Sequence, residues 1–360
     1  MFGCNWVERW AGPFTFFTCA LTGSEYFLQL KQAFGVGFRH TLFLHDAGVS
    51  RFFVDSVDFE RFGYAQARKV GRDRVYARRM LAILKRRTDR VTLVMRQLRG
   101  RIPTSDQYQR LIRELDAYLP YHCFLKKTVE FLPTHVLDRV LPSFVAARGY
   151  SEHVYSRTET LLKALAQRIC RREKLDWDSH LLTCMTPSEL GAYLEHRVLP
   201  PERTLRRRWE NTVLYFRNGA CVMLHGRDAL AVRKRLLPGS PPRLRSIKAD
   251  VACGGAARGI CRIILDPHAV RAFHDGDVLV TGMTRPEFEP LMQRASAIIT
   301  DVGGILCHAA IRSRELNIPC LVGAGIATRV LRDGDLVSVD ADKGLVRLLR
   351  RSDDAYAASH

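Results

Sequence analysis

The stretch Thr300-Asp301-Val302-Gly303-Gly304-Ile305-Leu306-Cys307-His308-Ala309-Ala310-Ile311 carries the residues best suited to chemistry. A strand-like run enters two glycines, then comes a histidine, then small residues that open a helix. Gly303 and Gly304 permit backbone torsions and close approaches that a side chain would block. His308 is expected near a helix N-terminus, where unpaired backbone N–H groups and the helix dipole favour an anion. An imidazole there could take a phosphoryl group on one ring nitrogen. The new negative charge would lie at the positive end of the helix, which favours it by about 0.3–2 kcal/mol. The same field opposes protonation of the free imidazole and keeps its lone pair nucleophilic. His308 is therefore the candidate catalytic residue and is expected to be solvent-accessible, with Ala309 and Ala310 leaving room for a docking partner.

Other residues offer less. Cys307 neighbours the histidine at the helix start, where a thiolate could be stabilised; we read it as a small packing or hydrogen-bonding residue. The ten cysteines include no CxxC pair, so buried thiols are expected rather than disulfides, and no metal site is expected. There is no Walker A pattern, and Gly35-Val36-Gly37 and Gly323-Ala324-Gly325 read as turns.

The elements that must position His308 follow from local pattern. Strands are expected at Cys261 to Leu265, Asp277 to Gly282, Ala297 to Thr300, Cys320 to Val322, Leu336 to Val339 and Leu345 to Leu349. Helices are expected at Phe288 to Ala295 and His308 to Leu316, the latter closed by Asn317 as a left-handed cap. Asp340-Ala341-Asp342-Lys343-Gly344 reads as a turn.

The segment from Thr281 to Leu349 resembles the mobile, phosphohistidine domain of phosphoenolpyruvate synthase, pyruvate phosphate dikinase and rifampicin phosphotransferase. The resemblance rests on the glycine pair, the Cys-His-Ala-Ala core, the Ser-Arg-Glu-Leu helix end, the Ile-Pro-Cys strand and the Asp-Gly-Asp turn. With the glycine-bearing entry Ala252 to Gly259 it covers roughly Ile247 to Leu349. It implies that His308 takes phosphate from a nucleotide and passes it to an acceptor, with Gly303, Gly304, Cys307, Ala309 and Arg314 supporting the phosphate loop. Two positions depart from the family pattern. Leu306 stands where relatives usually carry threonine, and Arg312 where many carry a small apolar residue. Thr284, Arg285 and Glu287 lie in a family-like turn and read as shaping the domain, with contact to ligand as the functional option.

The fold expected is multidomain, α and α/β. Residues 1–236 are read as a mainly helical, basic region for an acceptor or partner. Residues 237–246 are read as a Pro/Gly linker, 247–350 as a swivelling β/β/α phosphohistidine domain, and 351–360 as a tail. Helices are expected at Asp73 to Arg101, Ser105 to Leu119, Thr158 to Arg172 and Pro187 to Arg197, the last with Thr186 as N-cap. From Ser246 to Asp354 basic and acidic residues balance at 14 each, so the whole net charge of +19 lies outside that segment. The arginines from Arg68 to Arg101 and Arg206-Arg207-Arg208 form its basic surface. No nucleic-acid motif accompanies it, so nucleic acid is not an expected partner. Trp6, Trp10, Phe14, Phe16 and Phe17 read as core, with an acceptor pocket as the functional option.

No apolar run reaches membrane-spanning length and the first residues lack a secretory pattern, so a cytoplasmic location is expected. The resemblance implies an ATP-grasp nucleotide domain that is not recognisable here. ATP and Mg²⁺ are accordingly expected on a separate ATP-grasp partner, with a small-molecule acceptor the sequence does not identify. The alternative is a non-catalytic relative that keeps the fold as a binding or regulatory module.

Overall fold

The computed structural model describes residues 3–237, 244–270, 272–304 and 306–352. The expected linker core, Pro238 to Pro242, lies outside the described residues, as do Ile305 and the tail from 353 onward. By contacts, the described residues of Met1–Val7 and Phe14–Leu236 form one unit, and those of Glu8–Pro13 and Leu237–His360 a second.

The first stretch of chain runs β1 (Trp6–Gly12), α1 (Phe16–Phe34), β2 (His40–Asp46), β3 (Val49–Asp55), α2 (Ser56–Arg72), α3 (Arg74–Leu98) and α4 (Ser105–Thr128). It continues with α5 (Thr134–Ser151), α6 (His153–Arg172), α7 (Pro187–His196), α8 (Glu202–Glu210), β4 (Thr212–Arg217), β5 (Ala220–His225) and α9 (Gly226–Leu236). The expected helices are present. In α3, Asp73 caps the start by accepting from the Val75 N–H at 2.8 Å. Met80, Leu81, Leu84, Val91, Val94 and Leu98 face inward at helical spacing, while Arg78, Arg79, Arg86 and Arg90 are exposed. In α7, Thr186 and Glu189 form a reciprocal capping box with Pro187 in the first turn.

The helical reading missed a sheet. Five strands in the order β1-β3-β2-β4-β5 stand among these helices, and β2, β3, β4 and β5 pair antiparallel. The turn Ala47-Gly48 has φ of 45° and 82°, and Asn218-Gly219 has φ of 52° and 86°. Two successive left-handed residues give the tight turn whose twist suits a hairpin. The strands escaped the pattern because β2 and β4 are buried almost throughout, leaving no polar alternation to read. Phe16 and Phe17 are buried in α1 as core.

The second unit carries β6 (Ser246–Lys248), β7 (Asp250–Cys253), β8 (Ala256–Ile263), β9 (Val278–Thr281), α10 (Glu289–Met292), β10 (Ala297–Thr300), α11 (His308–Leu316), β11 (Cys320–Val322), α12 (Ala327–Val330), β12 (Leu336–Asp340) and β13 (Leu345–Arg350). The sheet order is β6-β13-β12-β8-β9-β10-β11-β7. Strands β8 to β11 run parallel, and the flanking pairs are antiparallel. Successive side chains alternate between two cores. Val278, Val280, Ala297, Ile299 and Leu321 enter one, with α12. Leu279, Ile298, Cys320 and Val322 enter the other, with α10 and α11. The expected helix at Phe288 to Ala295 is shorter, a single 3₁₀ turn followed by α10. Pro286 and Pro290 each sit at the start of one of these two pieces, where a missing N–H costs nothing. No described helix is long and apolar enough to cross a membrane.

Candidate functional site

Strand β10 ends at Thr300, and the loop that follows is held from several directions. The Asp301 carboxylate accepts from the Thr328 N–H and hydroxyl. The Val302 N–H donates to the Gly282 carbonyl at 2.9 Å. Gly303 has φ +151°, and a Cβ there would meet Cys307 Sγ at 2.9 Å and Val322 Cβ at 3.3 Å. Glycine is therefore required by both torsion and space. The Gly304 carbonyl accepts from the Cys307 N–H at 2.9 Å and closes the loop onto the helix.

Cys307 is the N-cap of α11, with φ −70° and ψ 159°, and its Sγ accepts from the Ala310 N–H at 3.4 Å. His308 is the first residue of the helix, as the spacing predicts. The accessibility expected of it is corrected: His308 is only 6% exposed. It is not, however, enclosed by apolar groups alone. Its Nδ1 lies 2.9 Å from Thr284 Oγ1, 24 residues earlier, in the turn after β9. Glu289, at the start of α10, also acts on it. That carboxyl is held below the usual range, first by the Arg312 guanidinium, with His308 among the charges that lower it further.

The Thr284 hydroxyl can accept from Nδ1–H or donate to a bare Nδ1, and the first arrangement is the one that suits a nucleophile. A hydroxyl that accepts from Nδ1–H leaves Nε2 unprotonated, with its lone pair available. Thr284 is 2% exposed, so the pair is shielded from water. This partner was missed in the sequence. Its one sequence signal is the hydroxyl in the Thr-Arg-Pro-Glu turn, a turn whose local pattern points first to shaping the domain.

The other expected support residues make contacts of their own. Ala309 and Ala310 are 1% and 0% exposed and belong to the core with Leu279, Ile298 and Val322. The expectation that they leave an open docking surface is corrected: their small size lets α11 lie close on the sheet. Arg314 is turned to the sheet, its Nε donating to the Ala252 carbonyl at 2.8 Å. Leu306 is buried at 4%. Arg312 pairs through both Nε and Nη2 with Glu289, and through Nη1 with Glu315. Among the described residues, no group of three or more His, Cys, Asp or Glu side chains could hold a metal ion.

Comparison with known proteins bears on this site directly. Residues 273–344 match the family described as PEP-utilising enzyme, mobile domain. A probable phosphoenolpyruvate synthase of Methanothermobacter thermautotrophicus is 52% identical over 100 residues, covering 28% of this chain and 15% of the relative. An uncharacterized phosphotransferase of Bacillus subtilis, YvkC, is 48% identical over 101 residues, 28% of this chain and 12% of the relative. The phosphoenolpyruvate synthase of Neisseria meningitidis is 41% identical over 139 residues, 33% of this chain and 18% of the relative. The chain thus spans less than a fifth of the length of these relatives. Within that span, the glycine loop, the capped helix and His308 all lie in the matched residues, and the C-terminal region of this chain matches the PEP-utilising enzyme mobile domain over residues 273–344.

Proposed function

We propose that this chain is a phosphocarrier of a phosphotransferase of the phosphoenolpyruvate synthase type, with His308 as the group that is phosphorylated. The observation that carries this reading is the 2.9 Å contact from Thr284 Oγ1 to His308 Nδ1, at the first residue of a helix that follows a glycine loop. With the proton on Nδ1, the Nε2 lone pair attacks phosphorus. The Nε2–P bond forms as the bond from phosphorus to the donor's leaving oxygen breaks. That oxygen departs with the electron pair, and the proton stays on Nδ1, donated in a hydrogen bond to Thr284 Oγ1. Transfer to the acceptor reverses the roles: the acceptor oxygen attacks phosphorus, loses its proton to solvent, and the neutral imidazole leaves. Backbone N–H groups at the start of α11 favour the phosphoryl charge in between.

The donor in this reading is ATP with Mg²⁺, held by a separate ATP-grasp protein, and the acceptor is a small molecule. The basic surface of the N-terminal region, including the exposed Arg78, Arg79, Arg86 and Arg90, suits an anionic acceptor or an acidic partner. The test is labelling with γ- and β-labelled ATP in the presence of the ATP-grasp protein, followed by mapping. An acid-labile, base-stable label that disappears in His308→Ala supports the reading, and a label that survives that change refutes it.

A second reading, a non-catalytic module, is favoured by the burial of His308 at 6% and by the buried Leu306 in place of a threonine. The two separate on one result: a binding module gives no His308-dependent label with any phosphoryl donor.

A further inference from the structure

Helix α11 carries two arginines, and the helical period separates them. Arg312 is four residues beyond His308, so the two share a face, one turn apart. Arg314 is six residues beyond, roughly 120° around the helix from His308 at 3.6 residues per turn. Its contact bears this out, since it donates to the Ala252 carbonyl on β7. The arginine in a position to meet a group on His308 is therefore Arg312, not Arg314.

Arg312 is set between two carboxylates. Its Nε donates to Glu289 Oε2 at 2.8 Å and its Nη2 to Glu289 Oε1, a two-pronged pair, while Nη1 reaches Glu315. The Arg312 side chain is 34% exposed and the Glu289 side chain 25%, so the pair lies at the surface, where exchange of partners is cheap. Glu289 and His308 also interact electrostatically. One guanidinium thus serves two carboxylates.

We propose that Arg312 is a phosphoryl latch: on phosphorylation of His308 it leaves Glu289 and takes the phosphoryl oxygens through its two-pronged fork. This rests on the phosphocarrier reading of His308. A phosphoryl group on Nε2 brings up to two negative charges beside Glu289. Glu289 and the phosphoryl group repel, and both compete for the same guanidinium. Its planar fork matches phosphate oxygens as well as it matches a carboxylate. Glu315 remains on Nη1 and holds the side chain in place during the exchange. The latch keeps the phosphoryl charge neutralised until an acceptor arrives.

The test uses the full chain and phosphoramidate as the donor, so that no partner protein is needed. Nε2 attacks phosphorus, the P–N bond of phosphoramidate breaks, and ammonia leaves with the proton it requires. Phosphorus NMR then follows the ionisation of the phosphoryl group on His308, identified by its absence in His308→Ala. Glu289 on α10 interacts with His308, and the charged groups on the neighbouring elements are Arg312, Arg314 and Glu315 on α11 and Arg285 and Glu287 beside Thr284 in the preceding turn.

Arg312→Leu is expected to raise the phosphoryl pKa by about one unit, as loss of an adjacent opposite charge does. Arg312→Lys is expected to restore part of the difference. Glu289→Gln, which frees Arg312 from its competitor, is expected to lower the phosphoryl pKa and guards against a folding defect in Arg312→Leu. A His308 phosphoryl signal that titrates alike in wild type, Arg312→Leu and Glu289→Gln overturns the latch and leaves the carrier standing. Failure of wild type to give any His308-dependent signal overturns both.

Discussion

Two helix starts in this chain use related devices to different ends. At α7, Thr186 caps the first turn, Glu189 reaches back to the Thr186 N–H, and Arg208 grips Glu189 with both Nη atoms at 2.6 and 2.9 Å. The positive end of that helix is filled by a carboxylate of its own. At α11 the cap is the sulfur of Cys307, a weak acceptor, and no acidic residue stands in the first turn. A histidine occupies the first position, bonded to Thr284. The first start is complete as it stands, and its residues hold structure together. The second leaves its positive end without a carboxylate of its own, beside the ring proposed as the nucleophile. The difference lies less in the helices than in what each first turn has been denied.

The comparison is sharpened most by removing the carboxylate that completes α7. Arg208 is 8% exposed, so Glu189→Ala strands a nearly buried guanidinium and opens the capping box. A loss of about 3 kcal/mol is expected in chemical denaturation. Labelling of His308 should be unchanged, because the two starts belong to different units. A loss under a few tenths of a kcal/mol would show that the α7 start is not held as described.

At α11 the informative change is Thr284→Val, which keeps the shape and removes the hydroxyl. The ring then loses its tautomer partner in a buried place. Phosphorylation of His308 is expected to slow about tenfold or more, equivalent to about 1.4 kcal/mol. Thr284→Ser should recover most of the rate. Equal rates in wild type and valine variant would break the link between that contact and the nucleophile.

How much of this could be read beforehand differs between the two units. Strand β10, helix α11 with its Asn317 cap, and strand β11 carry the bounds expected from sequence, because glycine, proline and asparagine punctuate them at short intervals. The hairpin of β4 and β5 was not read, although Asn218-Gly219 marks its turn. Thr212–Arg217 is buried at five of its six positions, and a continuous apolar run does not distinguish strand from helix. At the site, the helix start was legible from one local stretch. The Thr284 contact and the Arg312–Glu289 pair were not, since each joins residues more than twenty positions apart.

A smaller change turns one start toward the other. Cys307→Asp supplies α11 with the carboxylate cap it lacks. Stability is expected to rise by about 1 kcal/mol or less. Phosphorylation should fall at the same time, because a fixed carboxylate then competes with the phosphoryl group for the helix start. A variant that gains stability and phosphorylates as fast as wild type would contradict the role given to that positive end.

A further expected effect is confined to the first unit and to pH. Burial, with Glu25 nearby, pushes the Asp116 carboxyl up to about 7. Glu25 is itself raised by burial. A raised carboxyl binds its proton more tightly folded than unfolded. Its contribution to stability is present below the unfolded value near 4 and is lost as pH rises through about 7. The thermal midpoint should therefore fall between about pH 4 and 7, less steeply in Asp116→Asn, with a residual slope from Glu25. Identical slopes in the two proteins would place the titration elsewhere.

The central claim is that His308 Nε2 carries a phosphoryl group, and the most direct measurement is the site and bond of that group. The full chain is treated with phosphoramidate, and separately with labelled ATP and the ATP-grasp protein, then digested under alkaline conditions and mapped. The account predicts one acid-labile phosphoryl group on the peptide containing His308, attached through Nε2 and absent from His308→Ala. A phosphoryl group on Cys307, or attachment through Nδ1 of His308, would contradict it.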